Sequence, residues 1–156
     1  VIAYRIGKWK YLEDLTGIGA KLYGGRWNRE GLPVLYASGH LSLAVLELLA
    51  NQVRKLVDDT YGYIEIDIPE ECSQYVYGLE DLDPKWRNEG YDQSTVDIGS
   101  EWLVERSSLL LSVPSAVLQQ ERNILINPHH PEFSKIRIKD KNRLELDGRV
   151  YAGSNY

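Results

Sequence analysis

Apolar and polar positions alternate most clearly from Tyr61 to Ile68 (Tyr-Gly-Tyr-Ile-Glu-Ile-Asp-Ile), which reads as a half-buried β-strand stopped by Pro69. Val1 to Ile6 reads as a shorter strand and Tyr23 to Trp27 as another, with Gly24-Gly25 allowing close backbone approach. Tyr11 to Leu15 has the length of one helical turn before Gly17 and Gly19 break it. Asn28 to Gly31 reads as a turn, and Leu32 to Ala37 as a buried strand with Pro33 near its start. Ser38 suits an N-cap. Leu41, Ala44 or Val45, Leu48, Gln52 or Val53 and Leu56 then repeat as one buried helical face, so a helix ending near Leu56 is expected.

Glu70 to Gln93 is polar, aromatic and weakly patterned, which predicts a long surface loop with a turn at Asp83-Pro84. Ser94 to Ser107 predicts a second helix, with Ile98, Trp102 and Leu103 on its apolar side and Gly99 as a weak point. Leu109 to Val113 and Ile124 to Ile126 read as apolar strands, and Ile136 to Ile138 with Leu144 to Leu146 as a hairpin around Asp140 to Asn142. Short strands with one long and one shorter helix, not strictly alternating, predict an α+β fold. The paired glycines do not stand between a strand and a helix at phosphate-loop spacing, which argues against a doubly wound nucleotide fold.

The chain has 156 residues, 43% apolar and 26% charged, the profile of one ordinary globular domain spanning residues 1–156. Its net charge of −5 argues against a general nucleic-acid binder, though it leaves room for a basic pocket in an acidic surface. The lone cysteine, Cys72, rules out an internal disulfide framework and suits a reducing cytoplasm. No apolar run approaches the roughly 18 residues of a membrane span, and no stretch reads as a signal peptide. Methionine is absent even at position 1, as expected of a chain that is trimmed or incompletely transcribed. The eleven tyrosines and four tryptophans against one phenylalanine suit wet, hydrogen-bonding aromatic surfaces.

Glu47 is the residue most out of place. Leu46 and Leu48 flank it, its helical neighbours Leu43, Ala44, Ala50 and Asn51 carry no charge, and no lysine or arginine lies between Arg29 and Arg54. Its cation must come from elsewhere in the fold, and Arg26 is the obvious one. Glu47 then reads either as a catalytic carboxylate or as half of a structural ion pair. Arg26, between Gly24-Gly25 and Trp27, could fork onto a phosphate or carboxylate, or lie on a strand edge with its stem on Trp27. Tyr36 could stack on a flat heterocycle, or be a half-buried core ring. Ser115 in Val-Pro-Ser-Ala-Val lacks the glycines of a nucleophile elbow and reads as a turn hydroxyl. His129-His130 point to opposite sides of an extended chain with only Glu132 at ligand spacing, and His40 stands alone, so no metal site is expected.

Taken in order, these residues resemble the RES domain, named for arginine, glutamate and serine and found as the toxin half of bacterial toxin–antitoxin pairs. The matching residues are Tyr4-Arg5, Gly24-Gly25-Arg26-Trp27-Asn28, Val34-Leu35-Tyr36-Ala37-Ser38 and Ser42-Leu43-Ala44-Val45-Leu46-Glu47. Further on come Ile98-Gly99, Trp102-Leu103, Val113-Pro114-Ser115-Ala116-Val117, Asn123, Asn127-Pro128 and His130-Pro131. Leu146-Asp147-Gly148-Arg149 resembles the family's closing segment only loosely.

The resemblance implies a fold similar to ADP-ribosyltransferase toxins and depletion of NAD⁺ by cleavage of its nicotinamide–ribose bond. Water, phosphate or, in a related member type, a protein would accept the sugar. It implies Arg26 on the pyrophosphate, Tyr36 against nicotinamide or ribose, Glu47 at the anomeric carbon, and Ser115 on substrate or Glu47. Arg5 and Asn127 are further substrate-binding candidates. NAD⁺ would be substrate, not cofactor, with inorganic phosphate as a co-substrate. The implied partner is an antitoxin with an Xre-type helix-turn-helix that covers the cleft in a hetero-oligomer, with no direct contact to nucleic acid or membrane. Two readings compete with this one: ADP-ribosyl transfer to a specific protein, and a binding module without chemistry.

Overall fold

The structure, a computed structural model, describes residues 1–51, 60–88 and 90–150. Seven strands are found among them: β1 (Ile2–Lys8), β2 (Leu35–Ser38), β3 (Tyr61–Asp67), β4 (Gln74–Val76), β5 (Leu110–Pro114), β6 (Arg122–Ile126) and β7 (Arg137–Arg143). The helices are α1 (Ile18–Tyr23), α2 (Leu41–Asn51) and α3 (Gln93–Glu105). The strands form one sheet in the order β4-β5-β6-β2-β1-β3-β7, antiparallel except for β4 beside β5. The expected α+β class is what the chain adopts.

Alternation along the strands divides the apolar residues between two cores. Ala3, Leu35, Ala37, Ile64, Ile66, Ile124 and Ile126 share one face, where Leu12, Ile68 and Leu109 join them. The opposite face collects Leu111, Val113 and Leu125 from β5 and β6, and buries Trp27, Trp86 and Trp102 over them. α3 closes this second core with Trp102 and Leu103.

Several elements differ from the expectation. Tyr23 to Trp27 is not a strand: Gly17 to Gly19 start α1 instead of ending a helix, and Gly24 (φ 69°) turns the chain out of it into a tight bridge between Gly25 and Asn28. Tyr11 to Leu15 is replaced by a 3₁₀ turn at Trp9–Tyr11. Pro33 stays outside the sheet, and Ser38 is the last residue of β2, not an N-cap. The last part of the expected helix, residues 52–56, lies outside the described residues. Asp92 caps α3, accepting from the Ser94 N–H at 2.9 Å.

The supposed loop from Glu70 holds β4, three exposed residues too few to show any alternation, which pair with β5. The expected hairpin at Asp140 to Asn142 is one continuous edge strand. Lys139 is bulged out between the Glu65–Asp140 and Ile66–Ile138 pairs, so β7 keeps Ile138 inward while Arg137, Lys139, Asp140 and Arg143 are exposed.

Candidate active site

The face of the sheet that carries Tyr4, Tyr36, Ser38 and Asn123 forms the floor of a cavity of about 460 Å³. α2 lays Ala44, Glu47 and Leu48 along one wall, and the Gly24–Trp27 turn forms another. This volume lies in the ordinary range for small-molecule sites, roughly 300–1,000 Å³. Arg26, Tyr36 and Glu47 all line it.

The turn is tied down through Tyr36. Its hydroxyl donates to Asn28 Oδ1 at 2.6 Å and accepts from the Trp27 N–H at 3.1 Å. Asn28, itself buried, donates to the carbonyls of Ala20 and Leu32 at 2.9 and 3.0 Å. Gly25 is where the phenol passes: a Cβ there would lie 2.7 Å from the Tyr36 oxygen. Burial pushes the phenol well above the ordinary tyrosine range, opposed by the Trp27 N–H. The hydroxyl is therefore committed to structure, and the ring is what the cavity meets.

Arg26 is held at both ends. Its carbonyl accepts from Thr95 Oγ1 on α3 at 2.7 Å, and its Nη1 donates to the Trp86 carbonyl at 2.7 Å. The Tyr91 ring lies 5.6 Å from the guanidinium carbon. Nε and Nη2 make no hydrogen bond among the described residues and remain available to an anion.

Glu47 has no cation partner among the described residues. The lysine and arginine ion pairs seen among the described residues include Lys141–Glu13 and Arg149–Asp147 but not the expected Arg26–Glu47 pair. Two neutral donors meet the carboxylate instead, both on Oε1: Ser115 Oγ at 2.7 Å and Asn123 Nδ2 at 2.6 Å. Ser115 is fully buried on the turn after β5, and its oxygen already accepts from the N–H groups of Val117 and Leu118, each at 3.1 Å. Its proton is left to point at Glu47, so it is a fixed donor and not a nucleophile.

Arg5 and Asn127 are not brought to the cavity. Arg5 alternates with Tyr4 and Ile6 on β1, so it faces the other side of the sheet, where Nη1 donates to the Leu12 carbonyl at 2.7 Å. Burial lowers its pKa, partly offset by Asp14. Asn127 is buried, donating to the Leu103 carbonyl at 3.2 Å and accepting from the His129 N–H at 3.0 Å. His130 Nδ1 accepts from the Glu132 N–H at 3.1 Å and caps a 3₁₀ turn.

Sequence reasoning gave Ser38 only the role of an N-cap, and gave Tyr91, Asn28 and Asn123 no place in the site. Asn123 stood among the matching residues, but its purpose is visible only once β2 and β6 pair and set Ser38 opposite it.

The RES domain family profile matches residues 2–147. The chain is 38% identical over 153 residues to "Toxin Res" of Photorhabdus laumondii, covering 96% of this chain and 97% of that one. It is 37% identical over 134 residues to "Toxin Res" of Yersinia enterocolitica, with 85% and 88% covered. It is 33% identical over 140 residues to "Prs ADP-ribosylating toxin" of Sphingobium sp., with 88% and 87% covered. The fold is similar to a chain of the M. tuberculosis MbcT–MbcA toxin–antitoxin complex, with a TM-score of 0.76 at 16% identity over 97% of this chain and 86% of that one.

Proposed function

The chain belongs to the RES domain family, and from that premise we propose that it is a toxin that depletes NAD⁺ by breaking the nicotinamide–ribose bond. The carrying observation is that Arg26, Tyr36 and Glu47 line one cavity in which cation and carboxylate are not paired with each other. NAD⁺ has an anionic pyrophosphate and a cationic pyridinium ring, and the cavity offers one fixed charge of each sign.

Arg26, tethered at Nη1, presents its remaining N–H groups to the pyrophosphate. The Tyr36 ring packs on nicotinamide or ribose. The bond between the anomeric carbon and the pyridinium nitrogen breaks with its electron pair going to nitrogen. Nicotinamide leaves neutral and needs no general acid, so a single carboxylate suffices where glycosidases use two. Glu47 stabilises the oxocarbenium-like charge, or holds a ribose hydroxyl and the incoming acceptor. Water gives ADP-ribose and a proton; inorganic phosphate, as co-substrate, gives the ADP-ribose phosphate. Ser115 acts through Glu47, while Arg5 and Asn127 serve the framework.

A second reading is favoured by the Sphingobium relative, named as an ADP-ribosylating toxin. In it, a protein nucleophile takes the sugar in the same cavity. Two exposed aromatic residues, Tyr23 and Tyr91, line the cavity, a rim suited to an antitoxin. We assign its cover to a partner with an Xre-type helix-turn-helix, in a cytoplasmic hetero-oligomer. No helix among the described residues is long and apolar enough to cross a membrane.

The test follows NAD⁺ by NMR with and without phosphate, in the absence of antitoxin. The wild type is expected to release nicotinamide, and Glu47→Gln to slow this by roughly 10²–10³ with substrate binding little changed. Intact NAD⁺ with the wild type overturns the proposal. Near-normal turnover by a folded Glu47→Gln protein removes Glu47 from the mechanism. Label from NAD⁺ appearing in a protein band of cell extract selects the second reading.

A further inference from the structure

Both donors to Glu47 go to the same oxygen, Oε1. Oε2 has no hydrogen bond among the described residues. No buried side-chain nitrogen or oxygen among the described residues lacks a partner, so Oε2 is open to solvent, on a residue that lines the cavity. Oε1 is an anchor and Oε2 is the free face.

The anchor continues one residue further. Asn123 can donate to Oε1 only if its amide is turned with nitrogen toward Glu47, and that turn is fixed from behind: Ser38 Oγ donates to Asn123 Oδ1 at 2.7 Å. Ser38 and Asn123 are directly opposed across β2 and β6. The hydroxyl, the amide and the carboxylate thus form a chain from two central strands to α2, each link holding the next in one orientation. Ser115 supplies a second donor from the turn after β5.

We infer that Ser38 and Asn123 are positioning residues that fix the Glu47 carboxylate so that Oε2, and not Oε1, faces the reacting sugar. The inference rests on the NAD⁺ reading for its kinetic consequence, though not for its geometry. Ser115 is a poor probe of it, because its loss also orphans the Val117 and Leu118 N–H groups.

Two variants isolate the relay. Asn123→Ala is expected to lower kcat for NAD⁺ cleavage on the order of 10–10²-fold through misplacement of the carboxylate, with KM within about threefold. Ser38→Ala is expected to lower kcat roughly 3–10-fold, the rate equivalent of one hydrogen bond, and Ser38→Thr, which restores a hydroxyl, to recover it. In the Asn123→Ala background, Ser38→Ala should add nothing, since its effect travels through the amide. Independent, multiplying effects, or a kcat unchanged by Asn123→Ala, overturn the inference.

A crystal structure of Asn123→Ala provides the check that does not need activity: Glu47 should rotate or occupy two rotamers. A carboxylate unmoved there overturns the relay even if kcat falls. A wild type that leaves NAD⁺ intact defeats the functional reading alone, and the rotation of Glu47 then decides the relay by itself. Melting curves of each variant separate a folding defect from a positioning one.

Discussion

At the scale of single residues, the site separates groups spent on structure from groups left for chemistry. The Tyr36 hydroxyl is spent, while its ring is not. Its raised pKa yields a stability prediction whose sign can be worked out. The phenol ionises near 10 in the unfolded chain and higher in the folded one, so the folded state disfavours losing that proton. Its contribution is fully present below pH 10 and is lost as pH rises beyond that, at about 1.4 kcal/mol per pH unit until the folded phenol ionises too. Tyr36→Phe abolishes this one term. Denaturant melts of the two proteins between pH 9 and about pH 11 should therefore show the wild type losing stability faster than the variant. Parallel curves would mean the phenol is no harder to ionise folded than unfolded. Glu47→Gln suits the kinetic test because the amide oxygen can keep both donors at the Oε1 position while its NH₂ replaces Oε2. The cavity then loses charge and acceptor without losing the anchor.

At the scale of elements, helix α3 sets the cavity turn through Gly99 as well as through Thr95. A Cβ on Gly99 would lie 1.8 Å from the Trp27 carbonyl oxygen, so the helix and the turn touch backbone to backbone. Alanine would favour the helix by up to about 1 kcal/mol on propensity alone. The clash decides the sign instead: Gly99→Ala is expected to destabilise the fold by about 2 kcal/mol, the scale of overpacking a tight interior. It should also weaken NAD⁺ binding, because Arg26 hangs from the same helix through Thr95. A melting temperature equal to or above the wild type's would refute the contact. What the sequence reveals about elements follows from this. Tyr61 to Ile68 was legible because one face is buried and one wet, and the α2 start because its apolar positions recur at helical spacing. β4 and β7 were not, since an exposed edge strand is held by backbone pairing with β5 or β3 and leaves no apolar rhythm. Gly99 looked like a weakness because its partner is Trp27, distant in sequence. The same holds for the site: Arg26, Tyr36, Glu47 and Ser115 were named from the chain. Asn123 and Ser38 needed the β2–β6 register to acquire a purpose, and Arg5 lost its place when β1 turned it to the opposite face.

At the scale of the whole molecule, the surface carries an excess of negative charge, −5 over the chain, yet the cavity wall holds Arg26 with part of its guanidinium unused. A ligand with both charge signs can settle there without the field of the whole protein opposing it strongly. Exposed aromatic surface lines the mouth, with Tyr23 80% exposed and Tyr91 58%, while the Tyr36 phenol below is half-buried and its hydroxyl fully engaged. Tyr11 and Tyr75, at 57% and 55%, are about as open as Tyr91 but are not among the cavity residues. A nitrating reagent should therefore mark Tyr23 and Tyr91 readily and spare Tyr36. Adding whatever stoppers the opening should quiet the first two while Tyr11 and Tyr75 keep reacting. The fold thus carries its own footprinting dyes, two at the door and two as references, and peptide mass mapping could report the moment the toxin is muzzled.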